Sequence, residues 1–144
     1  MPGNNDPIYS RIGDVTADGT TVFPTAMVTA TGDYTGAATQ HVKVFTADAT
    51  NGGFIQRLRF KATGTNIASV VRIYLNNGST NTTAANNQFY GELSLPATTA
   101  INTAATVDLD YPMFLALPAA FRIFTGLATT VTASWVPTAI GGKY

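Results

Sequence analysis

The chain has 144 residues, with eight Lys and Arg against eight Asp and Glu, one His and no Cys, and only 11% of it is charged, where an ordinary soluble domain carries about 25%. That length supports one core rather than two. Zero net charge without a basic run leaves no electrostatic footprint for nucleic acid, and the missing cysteine excludes thiolate zinc sites, disulfide scaffolds and Cys nucleophiles.

Residues 1–20 are rich in Pro, Gly, Asn and Asp and show no sustained period, so they read as an extended N-terminal arm. The opening Met1-Pro2-Gly3-Asn4-Asn5-Asp6-Pro7 lacks the basic start and apolar run of a secretory leader. The longest apolar stretch, residues 113–121, is broken by Pro118 and falls far short of the roughly 20 residues of a spanning helix. The expectation is a soluble protein made in the cytoplasm, with no membrane partner.

From residue 21 onward the period is two. Strands are predicted at 21–30, 40–46, 54–62, 67–75, 88–95, 106–109, 113–117, 121–125 and 129–137, separated by Gly, Asn or Pro. Pro24 marks the first as an edge strand. In 54–62, Phe54, Leu58, Phe60 and Ala62 point one way and Ile55, Arg57, Arg59 and Lys61 the other. In 67–75, Ile67, Val71, Ile73 and Leu75 oppose Ala68, Val70, Arg72 and Tyr74. No segment reads as a helix. About eight short strands over residues 21–144, with a short C-terminal extension, fit an all-β, jelly-roll-like antiparallel β-sandwich of two four-stranded sheets. An immunoglobulin-like sandwich is the alternative, but it lacks the Cys…Trp…Cys signature, and the lone Trp135 lies in the last predicted strand. The longest connection, residues 76–87, consists of turn formers and small polar side chains.

The chemistry is sparse. His41, the only imidazole, alternates with Val42 and Val44 and shares a face with Lys43, which makes it a solvent-facing histidine rather than a metal ligand. Asp108 and Asp110 stand two apart on an extended segment, roughly 6.5–7 Å from one another. That spacing suits a glycosidase pair or a weak Ca²⁺ site, but solvent-facing or turn-capping aspartates before Pro112 are the simpler reading. None of the five serines lies in a G-x-S-x-G elbow, and there is no phosphate-cradling loop. The single glutamate, Glu92, has Arg72 or Arg57 as a cross-strand partner. No catalytic, metal or cofactor constellation emerges, and the expectation is a non-enzymatic protein without a cofactor.

Phe23, Phe45, Phe54, Phe60, Phe89, Phe114, Phe121 and Trp135 mostly fall on the inward phase of their strands. The tyrosines mostly take the other phase, and Tyr74 and Tyr90, flanking the long loop, are candidates for contacts with another protein or a carbohydrate. A low-charge, threonine-covered sandwich has weak protection against association. Its surface is therefore expected to be covered by copies of itself or by a larger assembly. The arm residues Ile8, Tyr9, Arg11 and Ile12, with Ile140 and Tyr144 at the other end, are the candidate subunit or partner contacts.

Four stretches carry a resemblance: Val71-Arg72-Ile73-Tyr74-Leu75-Asn76-Asn77-Gly78, Glu92-Leu93-Ser94-Leu95-Pro96-Ala97-Thr98-Thr99, Phe114-Leu115-Ala116-Leu117-Pro118, and Trp135-Val136-Pro137-Thr138-Ala139-Ile140-Gly141-Gly142-Lys143-Tyr144. Across residues 40–144 the chain resembles small virion structural proteins of tailed bacteriophages, most of all capsid cement (decoration) proteins. The resemblance implies a β-sandwich or jelly roll on the outer capsid surface of the virion, bound to the major capsid protein and clustered as a homotrimer. It transfers no site residue. A tail, baseplate or fibre-tip domain that binds a partner protein or a receptor glycan is the alternative within the virion, and a small carbohydrate-active enzyme using Asp108 and Asp110 is the alternative outside it.

Overall fold

A computed structural model describes residues 12–31 and 33–144. Its regular elements are β1 (Ile12–Asp14), β2 (Val42–Thr46), β3 (Gly53–Ala62), β4 (Ser69–Asn76), β5 (Asn87–Leu95), β6 (Asp108–Leu117), β7 (Arg122–Leu127) and β8 (Trp135–Lys143), with one turn of 3-10 helix at Ala84–Asn86. They form two antiparallel four-stranded sheets, in the orders β1-β8-β3-β6 and β2-β7-β4-β5. β1 pairs with β8, β2 with β7, β3 with β6 and β4 with β5. The chain thus doubles back as one long two-stranded ribbon, rolled until β8 also meets β3 and β7 also meets β4. This is the jelly roll that the period-two runs predicted.

Between the sheets lies a core in which Trp135, Phe45, Phe60, Leu58, Ile73 and Ile123 are fully buried. Alternation along β3 and β4 puts it there: Leu58, Phe60 and Ala62 from one sheet face Val71 and Ile73 from the other. One bulge shifts the predicted phase. The pairing of β3 with β8 jumps from Ile55↔Gly141 to Arg57↔Ile140, leaving Gln56 as an extra residue. Ile55, expected outward, is therefore buried, and Phe54, expected inward, is only half-buried. Gly141 has no room for a side chain, because a Cβ there would strike the Phe54 carbonyl and the Ile55 backbone.

The predicted boundaries change at four places, one of them the last strand, expected at 129–137 and found at Trp135–Lys143. Residues 21–30 form no strand; their backbone joins the sheets at two isolated bridges, Met27↔Trp135 and Ala30↔Leu127. Met27 plugs into the core from this segment, while Val22 and Phe23 remain exposed. The predicted strands 106–109 and 113–117 are one strand, β6, which runs through Pro112. Proline is tolerated there because β6 is an edge strand, bonded to β3 alone. Both chain ends also contribute to the first sheet, since residues 12–14, expected in the arm, pair with Gly141, Gly142 and Lys143, expected in the extension.

The bulge makes neighbouring residues unequal. Ile55→Ala is expected to cost about 2–5 kcal/mol in urea unfolding, and Phe54→Ala less than half of that. Equal costs would contradict the Gln56 bulge.

Candidate functional site

The two outer faces of the sandwich are treated differently. On the β2-β7-β4-β5 sheet, Arg72, Tyr74, Phe89, Phe124 and Gly126 point away from the core by register. Tyr74 is nonetheless 0% exposed, because residues preceding β2 lie across it, and Phe124 beside it is only 7% exposed. Thr31 donates its N–H to the Leu127 carbonyl at 2.8 Å. The Tyr74 hydroxyl donates to the Asp33 carbonyl at 2.5 Å, and the Asn87 amide donates to the Gly36 carbonyl at 3.1 Å. The His41 ring stacks at 4.5 Å on Tyr74, and its Nε2 lies 3.1 Å from the Thr31 hydroxyl. Gly126 admits this cover, since a Cβ there would strike both His41 and Thr31.

Arg72 completes the cover. Its guanidinium stacks 3.8 Å above the Tyr34 ring, and its Nε lies 3.8 Å from a Glu92 carboxylate oxygen. Among the described residues Nε and Nη1 make no hydrogen bond, and the stacking and the nearby carboxylate offset part of the lost hydration. Tyr34 in turn meets Phe89 edge-on at 5.4 Å. Burial raises the Tyr74 phenol to about 12. Burial also lowers the His41 imidazole, with Arg72 acting the same way against the raising effects of the Gly36 carbonyl and Asp33. Burial works against the Asp33 carboxylate, yet donors from Thr35 and Ala37 hold it below the ordinary value.

The outer face of the β1-β8-β3-β6 sheet has no such cover among the described residues. Arg57, Arg59 and Lys61 line β3 beside Asp108 and Asp110 on β6, with Arg59 directly opposite Asp110 and Lys61 opposite Asp108. Arg59 Nε donates to Asp110 at 3.1 Å, and Arg57 Nε lies 3.4 Å from the same carboxylate. That pairing raises the Arg59 guanidinium. Beyond the charges the face turns apolar. Two residues of β6, Met113 and Phe114, oppose the single Gln56 of β3; Met113 turns inward, and Phe114 is 69% exposed with φ +47°. A left-handed phenylalanine costs about 1–3 kcal/mol, and this one recovers little of it by burial.

At one end of the sandwich the β3–β4 and β5–β6 loops are joined. Asn66 and Thr98 exchange backbone hydrogen bonds at 3.1 and 2.9 Å, and the buried Asn66 side chain also holds Ala133 and Ser134. Ile67 and Ile101 stand exposed on this braced end, 52% and 54% accessible. The long connection at the opposite end is also built: the Asn87 amide donates to the Asn81 and Thr83 carbonyls, and Asn76 donates to Asn87. A depression of about 200 Å³ between residues 25–29 and the ends of β2 and β7 is lined by Thr25, Thr29, Gln40 and Val42 and has no titratable group.

These positions revise several expectations. Tyr74 keeps the expected outward phase but is enclosed instead of exposed. Tyr90 is the extra residue of a second bulge, where partners jump from Ile73↔Gly91 to Tyr74↔Phe89. The bulge turns it inward, edge-on to Tyr111 at 6.4 Å. His41, expected on a wet face, is 6% exposed. Ile140 lies half-buried opposite Arg57, and Tyr144 donates its N–H to the Gly52 carbonyl. Ile12 pairs with Lys143 in β1; Ile8, Tyr9 and Arg11 lie outside the described residues. Phe23, Phe89 and Phe114, expected in the core, are exposed. Asp108 and Asp110 occupy an open, flat face, and among the described residues no three His, Cys, Asp or Glu groups come together to hold a metal. Glu92 has Arg72 as its partner, one of the two anticipated. The chain matches no protein-family model, no curated protein and no solved structure.

The covered histidine has a pH signature. Its unfolded value is the ordinary 6.5 and its folded value is lower, so the unfolded chain takes up the proton first. Stability should be level above that pH and fall as pH drops below about 6.5 toward the folded value, by at most about 1.4 kcal/mol per pH unit. The Asp33 contribution is lost only below its ordinary 3.8. Urea unfolding between pH 8 and pH 5 should show the slope in the wild type and its loss in His41→Phe.

Proposed function

We propose that this protein is a non-enzymatic structural component of a tailed-phage virion, a cement protein on the outer capsid surface that bridges neighbouring major capsid protein subunits. The observation that carries this reading is the surface of the jelly roll. Three of the eight Lys and Arg and two of the eight Asp and Glu sit together on one sheet face. Much of the remaining surface is Thr, Ala and Asn, interrupted by exposed Phe23, Ile67, Ile101 and Phe114. Such a surface suits burial in an assembly, where few charges need be stripped of water. The braced end that presents Ile67 and Ile101 is the face assigned to the shell, and Ile8, Tyr9 and Arg11 are the candidate contacts to neighbouring subunits. Many copies, each burying an interface, would add to the work of rupturing the shell. Jelly rolls occur in capsid proteins and also in lectins.

A second reading has its own observation. Tyr34 and Phe89 expose aromatic surface beside Glu92 and Arg72, a combination that suits a sugar ring and its hydroxyls. It would make the chain a tail or fibre-tip domain that binds a receptor glycan.

Copy number separates the two readings. Quantitative mass spectrometry of purified particles should find the protein at a level comparable to the major capsid protein; a handful of copies per particle would favour the tail. Ile67→Asp combined with Ile101→Asp should leave the unfolding midpoint nearly unchanged and weaken binding to shells lacking the protein by at least about tenfold. Undiminished binding would remove the braced end from the interface.

A further inference from the structure

We propose that two copies of this chain pair face to face through the outer surface of the β1-β8-β3-β6 sheet, about a two-fold axis that runs parallel to the strands between β3 and β6. This pairing goes beyond the capsid reading and does not depend on it.

The face is complementary to itself. Its basic row, Arg57, Arg59 and Lys61, lies on β3, and its acidic row, Asp108 and Asp110, lies on the adjacent strand β6. Rotation about an axis between those strands turns the sheet over and exchanges the two rows without shifting them lengthwise. Arg59 then faces the partner's Asp110, and Lys61 faces the partner's Asp108. Any other second surface would need its own alternation of charge; a copy of this chain carries it already. The contact is isologous, each patch meeting its own image, and therefore closes as a dimer. Two twisted sheets with their strands aligned stack in this way at about −30°.

Phe114 supplies the apolar part of the contact. It stands on β6 at the level of Gln56, so the same rotation places it over the partner's Gln56 and beside the partner's half-buried Phe54. The most exposed aromatic ring among the described residues thus gains cover from the second copy. The opposite face is unsuited to this pairing, because residues 31 and 33–41 already lie on it. Lateral pairing through the free edge of β6 is obstructed by Pro112, which lacks an N–H, and by the Met113–Phe114 bulge. A trimer, the assembly implied by the resemblance, requires two different patches to meet, whereas this face matches itself.

The test uses the free full-length chain in sedimentation-velocity ultracentrifugation. The wild type should run as a dimer at micromolar concentration. Arg59→Asp with Lys61→Asp, and separately Asp108→Lys with Asp110→Lys, should each run as a folded monomer, since like charges then face one another. An equimolar mixture of the two variants should restore a dimer containing one chain of each, an outcome that intrachain ion pairs alone do not produce. Phe114→Gly relieves the left-handed backbone while removing the ring. It should therefore weaken dimerisation at least about tenfold with a thermal midpoint no lower than that of wild type. A wild-type monomer or trimer, a charge variant that still pairs with itself, or a mixture that stays monomeric would each overturn the proposal.

Discussion

The hydrogen bond from Tyr74 to the Asp33 carbonyl lies on the outer side of its sheet, and the asymmetry of the molecule follows from what that bond secures. Tyr74 belongs to β4, whose inward residues Val71 and Ile73 already fill the core. A large aromatic on the opposite phase would ordinarily face water. Here the chain itself covers it, and His41, Thr31, Asp33 and Gly36 all meet that one face. Burying Tyr74 and Phe124 outside the main core gives this sheet a second apolar layer. The gain is set against buried polar atoms that make no hydrogen bond among the described residues, including His41 Nδ1 and two nitrogens of Arg72.

A single cover leaves the other sheet to solve its exposure differently. Its outer face carries cross-strand ion pairs, each exposed and individually worth little, together with Pro112 and two bulges that interrupt regular pairing. These features discourage a free edge from templating another strand. They leave the broad face available. The two sheets thus differ, one sealed by its own chain and the other charged and open.

Much of the fold could be read directly from residue order. Alternation in Leu58, Phe60 and Ala62, and again in Val71 and Ile73, marks both sheets, and the run of short strands separated by turns leads to the jelly roll. Periodicity could not show which strands become neighbours, because a two-residue repeat defines a face and not a partner. Bulges were equally hidden: one extra residue at Gln56 exchanges the fates of Phe54 and Ile55, another at Tyr90 turns an outward tyrosine inward, and a third leaves Phe114 exposed. His41 misleads for another reason. Its alternation with Val42 does place it on the outer face of its sheet, but nothing local says that Thr31 and Gly126 will enclose it. The glycine at 126, within a run of apolar residues, is the one hint that another segment approaches closely. Ile140, expected in a C-terminal extension, lies instead within β8, opposite Arg57.

The pairing of β1 with β8 has a mechanical consequence. Ile12, where the chain enters the first strand, lies opposite Lys143, where it leaves the last. Tension applied between these two points would pull the strands apart sideways, so the few ladder bonds would break one after another instead of sharing the force. The ends of the ribbon are thus its weak seam under traction, while β3 and β4, each bonded on both flanks, form its stiff interior. Load on this protein would be resisted best if the force arrived through the sheet faces and the braced loops, where it compresses or shears the packed layers.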